Sequence, residues 1–317
     1  MYDVAALGEL LIDFTCLSTD TDGYPTVAAH PGGAPANYLA ALTKFGAKTA
    51  MIGKVGNDAF GRLLIKTLKG AGIDTRGMLV SDDVFTTLAF VTLDDSGDRE
   101  FSFARKPGAD TQLRFDEIDL GVIDASKVLH FGTLSMTNEP ARDATYKAVE
   151  YAAGHGKLIS FDPNLRKPLW DDLDEAKRQM LWGLKHADIV KISDEETEFL
   201  FGIAPEEAAK HIIDSFGVRL VYVTCGAEGC FYRTKTASGF VKALSGIAVK
   251  DTTGAGDIFG GSSMYGLLKA GGVPEKLTAE ELKEIVSFAC ASAGLSTTRA
   301  GGISSVAELI EVEAAMK

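Results

Sequence analysis

Four cysteines, at positions 16, 225, 230 and 290 of 317 residues, are too few and too scattered for a disulfide framework, and no two form a C-x-x-C pair. The five histidines build no H-E-x-x-H motif, so no sequence pattern points to zinc. No apolar run reaches the ~18 residues that a membrane span needs. Basic residues are in deficit, 32 against 44 acidic, for a net charge of −12. That deficit speaks against nucleic acid as a partner, since its binders usually present a basic face. It does not speak against a small anionic ligand, because local donors rather than net charge build such a site. The N-terminal Met1-Tyr2-Asp3-Val4 lacks the basic start and apolar core of a secretion signal, so a reduced cytoplasmic setting is expected.

The familiar phosphate-binding motifs are missing as well. There is no G-x-x-x-x-G-K-[ST], which excludes a P-loop enzyme, and no protein-kinase signature set. Gly254, Gly256 and Gly260 have the wrong spacing for a dinucleotide fingerprint. No internal repeat or low-complexity linker divides the chain. With 46% hydrophobic and 24% charged residues, the composition is that of a globular protein, enough for one large α/β domain or two smaller ones.

What is present is a βαβα rhythm, which implies a largely parallel sheet with helices on its faces. Val4 to Gly8 reads as a buried first strand that Glu9 to Phe14 continues. A helix through Leu42 follows, then a strand from Thr49 to Gly56 and a second helix ending near Gly70. The rhythm breaks at residues 86–104: Thr86 to Thr92 and Arg99 to Ala104 are strand-like and flank the turn Asp94-Asp95-Ser96-Gly97-Asp98. This hairpin is expected to be an insertion that pairs with the segment at about 13–30 and covers one end of the main layers as a lid. Arg105, at its end, either reaches a substrate oxygen or is a solvated edge residue. Strands at 128–132, 158–162, 188–193 and 220–224 then alternate with helices at about 140–154 and 173–184. Helices at 279–296 and 306–316 close the chain.

Chemistry concentrates where the strands end. Asp251-Thr252-Thr253-Gly254-Ala255-Gly256-Asp257 is a glycine turn opening into a helix, where bare N–H groups and the helix dipole favour a phosphate-like anion. Asp257 is either the helix cap or a base that deprotonates an attacking hydroxyl. Pro31-Gly32-Gly33-Ala34-Pro35-Ala36-Asn37 offers a second pair of glycines before a helix, with Asn37 one turn in. Asp13 is a polyol ligand or a turn residue. Asp162-Pro163-Asn164-Leu165-Arg166 clusters polar groups just past a strand, where ligands of parallel sheets bind. Ser193 or Asp194 could cap the following helix, or Glu198 could order water around magnesium. Thr224, Gly226 and Gly229 mark a close nucleotide approach or an ordinary hairpin turn.

Gly32 to Asn37 and Asp251 to Asp257 together resemble the two signatures of the ribokinase-like (PfkB) carbohydrate kinases, collinear over essentially the whole chain. Within that family Gly8 to Asp13, Arg105-Lys106-Pro107-Gly108-Ala109-Asp110 and Phe161 to Arg166 look most like fructokinases. The resemblance implies one ribokinase-like α/β domain over residues 1–317, a three-layer sandwich around a mostly parallel sheet, with the small β-sheet lid. It implies ATP-dependent phosphorylation of a sugar primary alcohol, D-fructose to fructose 6-phosphate. A 2-keto-3-deoxygluconate, ribose or nucleoside kinase is the nearest alternative, and a non-catalytic sugar-binding protein a remote one. Asp257 falls on the family's catalytic base and the N–H groups of Gly254, Ala255 and Gly256 on its anion hole. Asp13, Gly32, Gly33 and Asn37 match sugar-binding positions, with Arg105, Asn164 and Arg166 added near the sugar. Lys191, Glu195, Thr224, Gly226, Gly229 and Gly256 fall on the nucleotide side. Glu198 matches a magnesium position reached through water. Asp251, Thr253, Ser296, Arg299, Gly301 and Ser305 match a monovalent-cation site, for which potassium is expected. The family's N-x-x-E motif usually starts with Asn, whereas Glu195 stands there in this alignment. Pairing of lids into a homodimer is a further implication.

Overall fold

The computed structural model describes residues 1–93 and 99–317. The first half of the chain forms β1 (Tyr2–Leu7), β2 (Leu11–Thr19), β3 (Pro25–Gly32), α1 (Ala34–Lys44), β4 (Thr49–Gly56), α2 (Ala59–Gly70) and β5 (Asp74–Ser81). It continues through β6 (Leu88–Leu93), β7 (Arg99–Ala104), α3 (Leu120–Asp124), β8 (Ser126–Gly132), α4 (Ala141–Gly154) and β9 (Leu158–Asp162). Then come α5 (Leu173–His186), β10 (Ile189–Ser193), α6 (Asp194–Phe201), α7 (Pro205–Phe216), β11 (Leu220–Thr224), β12 (Gly229–Arg233) and β13 (Ser238–Lys242). The chain ends in α8 (Ala255–Lys269), α9 (Ala279–Ser296) and α10 (Leu309–Ala315).

Nine strands make the large sheet in the order β13-β12-β11-β10-β9-β8-β1-β4-β5. All pairings are parallel from β11 through to β5, and only β12 and β13 run antiparallel. Residues in a strand alternate between the two faces, so β1 serves two cores. Val4 and Ala6 pack with Leu39 and Leu42 of α1, Ile258 and Leu267 of α8, and Val286 of α9. Ala5 and Leu7 pack with Ala148 of α4, Leu184 of α5 and Ile212 of α7. Burying a leucine- or isoleucine-sized side chain contributes roughly 1.5–3 kcal/mol, so both faces must be covered, and the three-layer expectation holds.

A second sheet has the order β3-β2-β6-β7. It joins the two segments expected to pair, 13–30 and 86–104, with β2 starting two residues earlier and β6 two residues later than expected. The chain does not continue β1 through Glu9 to Phe14. Gly8, at φ 155°, breaks the strand against the Pro35 ring, and Leu11–Thr19 enters the small sheet instead. Phe14 stacks on Phe90 of β6 and meets Phe60 of α2 edge-on, which seats the small sheet on the main layers. The expected turn Asp94-Asp95-Ser96-Gly97-Asp98 lies outside the described residues. Strand β5 and helix α7 carried no expectation.

Helix α8 sets the height of the functional site, and glycine lets it approach α1. A Cβ on Gly261 would lie 2.2 Å from the Tyr38 carbonyl oxygen and 3.0 Å from the Ala41 methyl. The expected outcome of Gly261→Val is a destabilisation of about 1–3 kcal/mol from overpacking, read as a lowered midpoint in urea denaturation.

Candidate active site

Gly254 caps α8 in the left-handed region, at φ 74° and ψ 0°, a conformation that costs a side-chain-bearing residue about 1 kcal/mol or more. Ala255, Gly256 and Asp257 form the first helical turn, whose N–H groups have no helical carbonyl four residues back, although Ala255 N–H turns back to Thr252 O at 3.3 Å. Asp257 is buried, yet its carboxylate does not cap its own helix. Its Oδ2 accepts from Asn37 Nδ2 at 2.9 Å, across from the first turn of α1. Of the two readings of Asp257, the cap therefore falls away. Asp251 braces the turn from behind, accepting N–H bonds from Thr253 and Gly301 at 2.9 Å each.

Two cavities meet on this turn. One, of about 290 Å³, is lined by Leu11 and Asp13 of β2, Gly33, Asn37, Phe103 of β7, Arg166, Thr253, Gly254 and Asp257. It is the more polar of the two, with the Asp13 and Asp257 carboxylates in its wall and the small sheet along one side. The other, of about 490 Å³, is mainly apolar, lined by Leu244, Ile247, Val249, Phe259, Ala293 and Cys290 along with Thr224, Gly226 and Gly229. Ala255 and Gly256 line this second cavity, Gly254 and Asp257 the first, and Thr252 both. The glycine turn is thus a partition with a carboxylate facing one side and backbone donors at its edge.

Charge is buried here in quantity. Burial pushes the Asp257 carboxyl above its ordinary pKa, against the Asn37 hydrogen bond and the charges of Lys191 and Arg166, which favour the anion. Burial pushes Asp13 up to about 6, with Arg166 opposing and Asp257 and Asp251 adding to the rise. Lys191 of β10 pairs with Asp162 at the end of β9, 3.1 Å from Nζ to Oδ2. Burial pushes Asp162 up to about 7 even against this ammonium. Burial works against the Lys191 charge too, but Asp162, Glu196 and Asp257 outweigh it and hold its pKa above the usual lysine value. Its ammonium lies 3.0 Å from the point that a Cβ on Gly256 would occupy, so a buried cation stands against the glycine turn.

The turn Asp162 to Arg166 is strapped at three places. Pro163 O accepts from the Thr133 amide and hydroxyl, Asn164 N–H donates to Asp162 at 3.1 Å, and Leu165 N–H donates to Glu196 at 2.7 Å. Asn164 sits at φ 45°, the one positive φ outside glycine among the described residues. The strain costs of order 1–3 kcal/mol and the straps hold it. Arg166 is what the turn delivers to the polar cavity; Asn164 is not among the residues lining it.

Of the residues singled out in the sequence, Asp13, Gly33, Asn37, Arg166, Gly254 and Asp257 converge on the polar cavity. Gly32 lies beside them: a Cβ there would strike Asp13 Oδ2 at 2.3 Å. Thr224, Gly226 and Gly229 form the β11–β12 hairpin, one of the two readings of that segment, and also line the apolar cavity. One expectation needs correction. Arg105 is neither solvated nor on the sugar-sized cavity; it is buried, and its guanidinium is taken up by Asp110, Thr137 and the Leu134 carbonyl. Glu195 and Glu198 are exposed on α6, and the carboxylate acting on Asp162, Lys191 and Asp257 is that of Glu196. The signal for it was the capping box: Ser193 accepts from Glu196 N–H while Glu196 accepts from Ser193 N–H.

Around Asp251 the donors are all oxygen. Thr297 O accepts from Lys250 and Asp251 N–H, and Gly301 N–H donates to Asp251, which draws residues 296–305 against 250–253; within that segment Ser296 O accepts from Arg299 N–H and Ser305 Oγ donates to Gly302 O at 2.8 Å. The Arg299 side chain turns away to Val306 O and Glu311, leaving only its carbonyl to the site. Among the described residues no three His, Cys, Asp or Glu side chains converge as a metal cluster, and no helix is long and apolar enough to cross a membrane.

The sequence profile described as pfkB family carbohydrate kinase matches residues 1–309. Fructokinase-2 of Solanum lycopersicum is 41% identical over 306 residues, 95% of this chain and 92% of the relative. A fructokinase from Xylella fastidiosa, solved with bound ATP, superposes with a TM-score of 0.91 at 29% identity, covering 100% of this chain and 98% of the other. A double-mutant fructokinase from Vibrio cholerae O395, in a fructose, ADP and potassium ion bound form, gives a TM-score of 0.88 at 30% identity over 100% and 99% of the two chains.

The buried carboxylates make a testable statement about stability. Asp13 holds its proton more tightly folded, at about 6, than at its ordinary value of 3.8. Its contribution is therefore most favourable below about pH 4 and is lost as pH rises through 6. Relative to wild type, Asp13→Asn is expected to gain up to about 3 kcal/mol of stability on going from pH 4 to pH 8, the free-energy equivalent of a shift of about two pKa units. Denaturant titrations of both proteins at the two pH values read this difference directly.

Proposed function

The chain belongs to the pfkB family of carbohydrate kinases, and on that premise we propose that it transfers the γ-phosphoryl group of ATP to a primary hydroxyl of D-fructose, giving fructose 6-phosphate and ADP. The observation that carries this reading is the glycine turn shared by two cavities, with the Asp257 carboxylate on the polar side. Phosphoryl transfer needs donor and acceptor in line on opposite sides of the moving group, with little covalent chemistry left for the protein.

In this reading fructose occupies the polar cavity, held by Asp13, Asn37 and Arg166 against Gly32 and Gly33. Its hydroxyl lies on Asp257, which takes the proton as the oxygen attacks the γ-phosphorus. The N–H groups of Gly254, Ala255 and Gly256 and the start of α8 receive the charge that develops on the phosphoryl oxygens. Lys191 adds a cation behind Gly256. The adenosine part fits the apolar cavity, over Leu244, Ile247 and Val249 and beside Thr224, Gly226 and Gly229. A high Asp257 pKa makes it a stronger base, and the Asn37 bond and the two cations keep it ionised.

Two metal ions go with this chemistry. Magnesium carried on the triphosphate needs one or two protein carboxylates and neutralises charge between the β- and γ-phosphates. Glu198, exposed on α6, is the first candidate and reaches the ion through water, with Glu195 on the same helix, whereas both Glu196 oxygens are taken by the Leu165 and Ser193 amides. The oxygen donors of Asp251, Thr253 and Ser305, with the carbonyls of Ser296, Arg299 and Gly301, suit a hard cation such as potassium. The small sheet serves as a lid that keeps water from the phosphoryl group. Leu17, Tyr24, Val27 and Phe85 are exposed apolar side chains on and beside the lid, a surface on which two copies pair. The free cysteines suit a reducing cytoplasm.

Arg166 favours one second reading, a sugar-acid kinase in which the guanidinium meets the carboxylate of 2-keto-3-deoxygluconate. Asp13 and Asp257 in the same cavity weigh against an anionic sugar. The test is a coupled assay of ADP formation with fructose, ribose and 2-keto-3-deoxygluconate, with and without potassium. Fructose is expected to give the highest kcat/KM, and turnover confined to the sugar acid would overturn the substrate. In the same assay Asp257→Asn is expected to lower kcat by roughly 10²–10⁴-fold with fructose KM largely kept. Near-normal turnover in that variant would remove Asp257 from the chemistry.

A further inference from the structure

The hairpin of β6 and β7 leaves and rejoins the main layers at two residues, Thr87 just before β6 and Arg105 just after β7. Both end on one buried carboxylate. Thr87 Oγ1 donates to Asp110 Oδ1, and Arg105 donates to Oδ2 through Nε at 2.9 Å and a terminal nitrogen at 2.7 Å. Thr87, Arg105 and Asp110 are at most 5% exposed. The rest of the guanidinium binds Thr137 Oγ1 and Leu134 O at 2.7 Å each, fixing the root of β7 to the segment ahead of α4. Ile12 N–H of β2 donates to Thr87 O at 3.2 Å, so the neighbouring strand shares the anchor. Gly108 allows the loop to close around the cluster, since a Cβ there would lie 1.8 Å from Thr87 Oγ1.

A second buried carboxylate extends the cluster toward the sugar cavity. Glu9 is 3% exposed, feels the charges of Asp110 and Arg105, and accepts the Ala34 N–H at 2.7 Å. Ala34 opens α1 directly after Gly33, which lines the polar cavity, as does Phe103 two residues before Arg105. The roots of the hairpin and the glycine turn of the sugar site are thus tied to one set of buried charges.

We propose that Asp110 is a positioning residue: by clamping Thr87 and Arg105 it sets the angle of the β6–β7 hairpin over the sugar cavity and keeps Phe103 seated there. The inference rests on reading the small sheet as a lid. With the clamp weakened, water reaches the bound ATP. Its oxygen bonds to the γ-phosphorus as the bond to the ADP oxygen breaks, yielding ADP, inorganic phosphate and a proton in place of sugar phosphate.

The experiment measures ADP and fructose 6-phosphate in one reaction mixture for wild type, Asp110→Asn and Thr87→Val. The wild type is expected to form them one to one. Both variants are expected to raise the ratio of ADP to sugar phosphate to roughly two or more, the mark of an open lid. Fructose KM should rise about tenfold, as for the loss of one charge-assisted hydrogen bond, with kcat at saturating fructose changed less. A merely structural role would reduce the amount of active enzyme and scale both products together, so a ratio of one in folded variants overturns the proposal. Should Asp110→Asn fail to fold, Thr87→Val decides alone, since it removes one hydroxyl at nearly constant shape. A wild type that makes no sugar phosphate defeats the kinase reading itself, whereas fully coupled variants of an active enzyme defeat only the clamp.

Discussion

In the proposed reaction Asp257 must stay ionised beside a turn that receives another anion, and nearly every feature around it answers that electrostatic demand. A carboxylate buried at the start of α8 gains from the helix dipole but loses its water. The Asn37 amide replaces part of that hydration, and Lys191 and Arg166 bring positive charge from two other elements. Each of these cations is itself buried or half-buried and needs a partner. Lys191 takes Asp162, and the turn carrying Arg166 is held by Glu196. The chain of compensation runs outward from one aspartate across β9, β10 and α6.

The same demand explains the placement of the cavities. A partition made of backbone, with glycines at 254 and 256, is thin enough for groups on its two sides to meet. Side chains there would separate them or strike Asn37 and Lys191. In the proposed reading, the carboxylate on the polar side and apolar walls on the other sort the two substrates by chemistry before any specific contact forms. The small sheet completes the polar side through Asp13 and Phe103, and its roots are fixed by charges that lie outside the lining of that cavity.

Local features of this arrangement were legible in the sequence. The glycine turns at 32–37 and 251–257, the βαβα rhythm and the paired segments of the small sheet all follow from short-range rules of backbone and periodicity. What escaped depended on contacts distant in sequence. The break at Gly8 was hidden because Glu9 to Phe14 keeps an apolar pattern that serves either sheet. Arg105 reads as a hairpin-end arginine, and its burial appears only when Thr137 and Leu134, some thirty residues on, close over it. The place of Glu196 could have been read from the Ser193 capping box, since a glutamate that caps points back toward the strand end. The apolar wall of Leu244, Ile247 and Val249 carries no motif and is defined only by packing against α9.

The central claim is that one turn separates and joins two substrates, and a crystal structure with ADP, aluminium fluoride and fructose tests it most directly. The account predicts the fluoride bound by the N–H groups of Gly254, Ala255 and Gly256. It also predicts ADP in the apolar cavity and a primary hydroxyl of fructose within hydrogen-bond distance of the Asp257 carboxylate. Fluoride bound away from the turn, or a sugar hydroxyl aligned on the phosphate with Asp257 out of reach, would contradict it.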